Sequence, residues 1–154
     1  MYVRGEGPTP TPGTLNALFF EAVRKFDRAD AMLYRVGEGR WQPLSHREIR
    51  DRARRIALGL AELGVKRGDR VAILSENRPE WALADWGCLT SGVIDVPIYS
   101  TLPAEQITYL LNDSGTVAVF VSTGAQADKI AAIRSKAPTV RHVIAFDENA
   151  ASKA

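Results

Sequence analysis

A single cysteine, Cys88, stands in the whole 154-residue chain. One thiol excludes an internal disulfide framework and any cysteine-based metal site. Cys88 sits in an apolar, helix-like run, where a free thiol is ordinarily a buried small hydrophobe and not a nucleophile. Histidine is almost as scarce, with only His46 and His142. Nothing in their spacing brings them together, and two histidines without partners make no zinc site. Charge of one sign is also missing: 20 Lys and Arg stand against 18 Asp and Glu, for a net charge of +2. That balance argues against bulk attraction to nucleic acid or to an anionic membrane. No stretch approaches the roughly 18 uninterrupted apolar residues of a membrane-spanning helix. The N-terminal MYVRGEGPTPTPG has no apolar core of the kind a secretory signal needs. Together these absences lead to the expectation of a cytoplasmic chain. Two further gaps concern chemistry. Neither GxGxxG nor GxxxxGK[ST] occurs, so no glycine-rich turn brings backbone amides up to a phosphate. GxSxG is absent too, and no serine can be paired with a base from its spacing.

What is present is an ordinary globular composition, 45% hydrophobic and 25% charged. The length fits one domain and is enough to bury roughly 70% of the unfolded surface. Residues 1–13 read as a flexible or lightly docked arm, with prolines at 8, 10 and 12. Thr14 is placed to cap a helix whose apolar face is Leu15, Leu18, Phe19, Ala22, Val23 and Phe26, ending near Phe26–Asp30. A hairpin follows, Ala31–Tyr34 against Trp41–Leu44 across a glycine-containing turn, with Pro43 marking an edge or a strand end. Ser45 with Glu48 three residues on is a capping box. Behind it Ile49, Ala53, Ile56, Leu60 and Leu63 form one helical stripe, closed by Gly64. Arginines 47, 50, 52, 54 and 55 crowd the remaining faces. They read as a solvated surface with Asp51 as an opposite-sign neighbour. A nucleic-acid footprint would need an aromatic and basic sheet face and a strongly basic total.

From Gly64 onward strand-like and helix-like runs alternate. Strand Val71–Leu74 precedes a helix over about Arg78–Ser91, with Asn77 and Glu80 as its expected capping pair, Pro79 in its first turn and Gly92 at its end. Val93–Tyr99 is the next strand. Pro97 places it at an edge or ends it at Val96. Ser100 and Thr101 open a helix that buries Ile107, Leu110 and Leu111 and stops at Asp113-Ser114-Gly115. Thr116–Val121 is a strand apolar on both faces. A helix over about Ala125–Lys136 and a strand over Val140–Phe146 complete the pattern, and residues 148–154 form a polar tail. The fold class expected is therefore α/β: a three-layer α-β-α sandwich on a mostly parallel sheet, preceded by a helix, a β-hairpin and a helix.

Such a sheet invites a nucleotide, and the loop after its first strand is the test. That loop reads Ser75-Glu76-Asn77-Arg78-Pro79, with no glycine and with a carboxylate, Glu76, that would repel phosphate. Asp95, within the second strand, is a candidate phosphoacceptor. Glu76 alone does not supply the acidic pair a receiver-like switch needs, so a structural or edge-exposed role is the plainer reading. Trp81 and Trp86 are five positions apart on one helix and face different directions. One is expected in the core and the other partly exposed, where it could line a ligand path or an interface.

Two stretches of wording now carry a resemblance. Leu44-Ser45-His46-Arg47-Glu48-Ile49 is similar to L-[TS]-Y-x-E-L, the first core motif of the adenylate-forming superfamily. His46 stands for its tyrosine and Ile49 for its leucine. Leu89-Thr90-Ser91-Gly92-Val93-Ile94-Asp95-Val96-Pro97-Ile98-Tyr99 resembles the second core motif. SENRPEW (75–81) and ITYLLNDSG (107–115) are similar to the bacterial long-chain fatty-acid CoA ligases. The likeness covers residues 14–147 and implies the N-terminal subdomain of an AMP-forming acyl-CoA synthetase. The full-length enzyme would then use ATP, magnesium and coenzyme A to convert a fatty acid to an acyl-adenylate and on to a thioester. The family's phosphate loop, adenine-and-magnesium motif, ribose-binding aspartate and catalytic lysine have no counterpart here. No catalytic, cofactor-binding or metal-binding residue is therefore carried over, and the fragment alone is expected to be inactive. The partners implied are the remainder of its own chain and a fatty acid for the full enzyme, with no nucleic acid. A homodimer and a peripheral membrane contact of the parent enzyme stay open. The alternative is a stand-alone doubly wound binding or interaction module.

Overall fold

A computed structural model describes residues 13–148. The expected arm over 1–13 falls outside those residues except for Gly13, and the polar tail except for Glu148. Helix α1 (Leu15–Phe26) opens on Thr14, whose hydroxyl accepts the Ala17 N–H at 3.1 Å. It closes on Asp27, which takes a left-handed φ of 39°. Strands β1 (Met32–Val36) and β2 (Arg40–Leu44) form an antiparallel hairpin of their own, with Leu33 opposite Pro43. The capping box of α2 (His46–Glu62) is complete: Ser45 Oγ accepts the Glu48 N–H, and Glu48 Oε2 accepts the Ser45 N–H at 2.8 Å.

The main sheet has four strands, β3 (Arg70–Ser75), β4 (Ile94–Tyr99), β5 (Ala118–Val121) and β6 (His142–Ala145), in the order β4-β3-β5-β6. All neighbours are parallel, from Arg70 opposite Ile94 to Ala118 opposite His142. The crossovers are α3 (Pro79–Ser91), α4 (Ala104–Ser114) and α5 (Gly124–Ile133), the last tightening into a 3₁₀ turn at Arg134–Lys136. Alternation along the strands divides the core. Ala72, Leu74, Val119 and Val121 join Ile107, Leu111 and Ile130 on the α4–α5 side. Val71, Ile73, Ala118 and Phe120 join Leu60, Ala84 and Cys88 on the α2–α3 side. A third cluster, Phe19, Val23, Leu44, Ile49 and Leu83, seats α1 and the hairpin against α2 and α3. Each fully buried Leu or Ile contributes about 1.5–3 kcal/mol, so the three layers follow from the strands being apolar on both faces. Arg70 locks one corner: its Nε donates to Ser114 O at 2.6 Å, placing a cation at the C-terminal end of α4.

Several expectations need correction. Asn77 does not cap α3. Arg78 occupies the cap position with no side-chain cap bond, and Pro79 at the first helical position needs none for its missing N–H. Helix α4 begins at Ala104 and not at Ser100, because 99–102 form a turn closed by the Leu102 N–H on Tyr99 O. The α1 face is only partly covered: Phe19 and Val23 are buried, whereas Leu15, Leu18 and Phe26 are exposed. On α2, Leu63 is exposed as well. Pro97 takes the first of its two readings, since β4 is an edge strand and runs on to Tyr99. Both tryptophans are partly buried. Trp81 packs on the α2–α3 core and Trp86 stacks on Phe19 at 4.3 Å, so both are partly exposed as one was expected to be and neither is fully in the core.

Candidate functional site

Strand order fixes where a site would lie. From β3 the chain crosses to β4 on one side, and from β5 it crosses to β6 on the other, so a switch point opens between the C-terminal ends of β3 and β5. Backbone pairing carries Glu76 just past β3 and Ser122 just past β5 to the same opening. There the exposed Glu76 accepts a side-chain hydrogen bond on each carboxylate oxygen. Ser122 Oγ donates to Glu76 Oε2 in a short hydrogen bond, and Gln126 Nε2, from the first turn of α5, donates to Oε1 at 3.0 Å. Burial pushes the Glu76 carboxyl up. The Ser122 and Gln126 hydrogen bonds, a backbone N–H and the Arg78 charge outweigh it and hold the group below its ordinary value.

Arg78 ties the neighbouring ends together. Its Nε donates to Glu80 Oε2 at 2.7 Å, Nη2 to Asp147 Oδ1 at 2.8 Å and Nη1 to Ser122 O at 3.2 Å. The Asp147 hydrogen bond and the Glu80 pair raise its pKa further, so it is permanently charged. Gln126 also donates to Ser100 O at 3.2 Å, and Lys129 Nζ donates to Ser100 O and to Leu102 O. The turn after β4 is thereby pinned to α5. Gln126 Oε1, buried, accepts no hydrogen bond among the described residues.

This cluster positions backbone; it does not present a reactive group. Ser122 is fully buried and gives its proton to a carboxylate, with no histidine beside it. The anionic Glu76 and the unpaired carbonyl oxygen of Gln126 are acceptors, where a nucleotide phosphate needs donors. Among the described residues no group of three His, Cys, Asp or Glu side chains is arranged to hold a metal ion.

The residues singled out from the sequence stay apart from this cluster, Glu76 excepted. His46 ties the start of α2 to the α1–β1 connection: its Nδ1 accepts the Arg28 N–H at 3.1 Å and its backbone N–H donates to Arg28 O at 2.9 Å. His142 begins β6, opposite Ala118. Asp95, half-buried on β4, stands beside a carboxyl the sequence reading passed over, Asp85 of α3. Burial, then the Asp95 charge and a hydrogen bond that protonated Asp85 donates to it, push the Asp85 carboxyl up to about 6. Cys88, fully buried, is pushed up to about 12 by burial and by the same two carboxyls, so it is an inert thiol. The signal for Asp85 was an acid in the apolar run WALADWGCL, three positions before Cys88 on the same helix face.

Comparison with known proteins adds the wider frame. A family model described as AMP-binding enzyme matches residues 19–154. The long-chain-fatty-acid–CoA ligase FadD15 of Mycobacterium bovis is 40% identical over 129 residues, covering 83% of this chain and 21% of the relative. A solved long-chain-fatty-acid CoA ligase, described as putative, from Rhodopseudomonas palustris superposes with a TM-score of 0.78 at 29% identity, over 88% of this chain and 33% of that one. A short relative, the uncharacterized protein Rv1549 of Mycobacterium tuberculosis, is 34% identical over 118 residues, covering 77% of this chain and 65% of its own. The chain thus spans about a fifth of the long ligases it matches.

Proposed function

This chain belongs to the AMP-binding enzyme family, closely related to the long-chain fatty-acid CoA ligases, and from that premise we propose that it serves as the N-terminal scaffold of an ATP-dependent fatty-acid CoA ligase. On this reading its strands and crossover helices support an acyl-adenylate-forming site whose reacting groups are supplied by sequence beyond the span matched here. The observation that carries it is the strand-end cluster, in which the switch point of the sheet is filled by Glu76, Ser122, Gln126 and Arg78. The family implies ATP, magnesium and coenzyme A. The residues at the switch point do not fit the triphosphate, because the Arg78, Ser122 and Gln126 donors are already spent on Glu76, Glu80, Asp147 and backbone carbonyls and the atom left over, Gln126 Oε1, is an acceptor, and no step of the reaction is assigned to them. The fragment alone is accordingly proposed to be inactive. ATP–pyrophosphate exchange with a long-chain fatty acid and magnesium is the test: no exchange above blank is expected from the 154-residue chain. Exchange abolished by Glu76→Gln would overturn the scaffold reading.

Self-association and a peripheral membrane contact of the parent enzyme belong to the same proposal, supported by the exposed Leu15, Leu18 and Phe26 of α1. The second reading, a stand-alone binding or interaction module, is favoured by the short mycobacterial relative, of which this chain spans a far larger share than it does of the ligases. Co-expression with the remainder of a ligase separates the two: restored exchange supports the scaffold, and a stable fold with no complementation supports the module.

A further inference from the structure

The apolar face of α1 is wider than the core it meets. Phe19 and Val23 are buried against α2 and α3, while Leu18 is 62% exposed. Beside Leu18 lies a groove of about 310 Å³ between α1 and the root of the hairpin. Leu18 and Ala22 of α1, Ala31, Met32 and Ile49 of α2 bound it. The stacked rings of Phe19 and Trp86, 4.3 Å apart at their centroids, complete the lining. No Lys, Arg, Asp or Glu takes part. The one polar side chain there, His46, already has Nδ1 engaged by the Arg28 N–H. The groove thus offers nothing to an ion, and covering it removes apolar surface from water.

We propose that the segment Met1-Tyr2-Val3 docks into this groove on its own chain, against Leu18 and Met32. Residues 1–12, outside the described residues, read MYVRGEGPTPTP. An apolar triplet is joined there to α1 by a spacer of glycine, proline and threonine that carries one charge of each sign, Arg4 and Glu6. The lengths agree. Val3 stands eleven positions before Thr14, the cap of α1, and a coil of that length spans about 17–20 Å. Leu18 and Ala22 stand four and eight positions after Thr14, about 6 and 12 Å along the helix. A tether close to the span it must cross holds its end at an effective concentration in the millimolar range. Weak intrinsic affinity then suffices, and a few apolar side chains supply it. Prolines 8, 10 and 12 restrict the spacer and lower the cost of ordering it. A second copy of the chain would have to make the same contacts without the tether. The groove shares no residue with the strand-end cluster, and its occupancy does not depend on the ligase reading.

The test attaches a nitroxide through Arg4→Cys on the full 154-residue chain and reads paramagnetic broadening of backbone amides. Cys88 is fully buried and escapes the label. Amides of Leu18, Ala22 and Met32 are expected to broaden, while those of Ile130 and Ile133, on the α4–α5 side of the sheet, stay sharp. A mixture of isotope-labelled chain without nitroxide and nitroxide-bearing chain without isotope is expected to show no broadening. Tyr2→Ser with Val3→Ser leaves every described residue intact and is expected to lower the docked-to-free ratio at least about tenfold. Leu18→Glu is expected to do the same. Phe20→Glu, on the other flank of α1 and outside the groove, is expected to change nothing, and circular dichroism checks that both glutamate variants fold. Equal broadening in the mixture would assign the groove to a second copy and overturn the proposal. So would broadening that is absent, that spreads evenly over the chain, that survives the Tyr2 and Val3 substitutions, or that falls as far with Phe20→Glu as with Leu18→Glu.

Discussion

Asp85 is an acid whose environment opposes its charge. It lies half-buried on α3, against Asp95 of the edge strand β4, with its carboxyl pushed up to about 6. An acid whose folded pKa exceeds its unfolded value of about 3.8 binds a proton more readily when folded. Stability tied to this group is therefore greatest below about pH 4, falls as pH rises toward 6 and is constant above. Asp85→Asn keeps the hydrogen-bonding shape and removes the charge. It is expected to stabilise the chain by about 1 kcal/mol at pH 7, less than the full linkage value because water screens a half-exposed group, and by almost nothing at pH 4. Urea denaturation of parent and variant at the two pH values measures this, and an equal effect at both would rule out the charge as cause. The sequence reading took Asp95 as structural or edge-exposed, and it lies half-buried on the edge strand β4, but that reading could not pair Asp95 with Asp85. Helix α3 and strand β4 are adjacent in the chain, yet which face of α3 lies over β4 is decided by the other helix packed on it, α2. Gln126 and Lys129 were missed for a similar reason: their partners, Glu76 and Ser100, lie 50 and 29 positions away.

At the scale of elements the test cases are two cap signatures of the same form. Ser45-x-x-Glu48 and Asn77-x-x-Glu80 look alike as strings, and only the first forms a capping box. At the second, the cap position falls to Arg78, whose side chain is drawn away to Glu80, Asp147 and the Ser122 carbonyl. A local signal has yielded there to a long-range one. Ser45→Ala is thus expected to cost about 1 kcal/mol, while Asn77→Ala stays within about 0.5 kcal/mol, the range of a surface change. Thermal unfolding of the two variants side by side separates them. The α2–α3 contact gives a third expectation. A Cβ added at Gly87 would stand 2.4 Å from Ile56 Cγ2 and 2.8 Å from Ile56 Cβ, and the latter belongs to the stiff, branched base of the side chain. Gly87→Ala is expected to destabilise by about 2 kcal/mol, an overpacking cost that outweighs the gain in helix propensity. Gly87→Ala with Ile56→Ala, which removes the clashing methyl, is expected to recover part of it. Helices and strands themselves were legible because each switch of period carries glycine or proline punctuation, such as Gly64, Gly92 and Gly115.

For the whole molecule, the parallel layers were readable from the alternation of runs, but the order β4-β3-β5-β6 was not, since any right-handed path of three crossovers satisfies the same string. The order has a physical consequence. It puts the two strands with completely buried apolar runs, β3 and β5, side by side in the middle, with α2 and α3 on one face and α4 and α5 on the other. It leaves β4 and β6 as edges, one bearing Pro97 and the exposed Ile94 and Tyr99, the other only partly buried along its length. Opening β3 or β5 breaks two ladders and both halves of the core, whereas an edge strand can detach by breaking one. Native-state hydrogen exchange should therefore sort by strand. Amides of Ala72 to Leu74 and of Val119 to Val121 are expected to exchange only through global unfolding, with one common free energy that follows added urea steeply. Amides of β4 and β6 that bond inward are expected to exchange through smaller openings, roughly a hundredfold faster and with a shallow urea dependence. The Asp85→Asn substitution, which relieves charge between α3 and β4, should slow β4 and leave β6 unchanged at pH 7. Uniform exchange across all four strands would mean that the sheet opens as a single unit and that its edges are covered in solution by contacts the isolated fold does not contain.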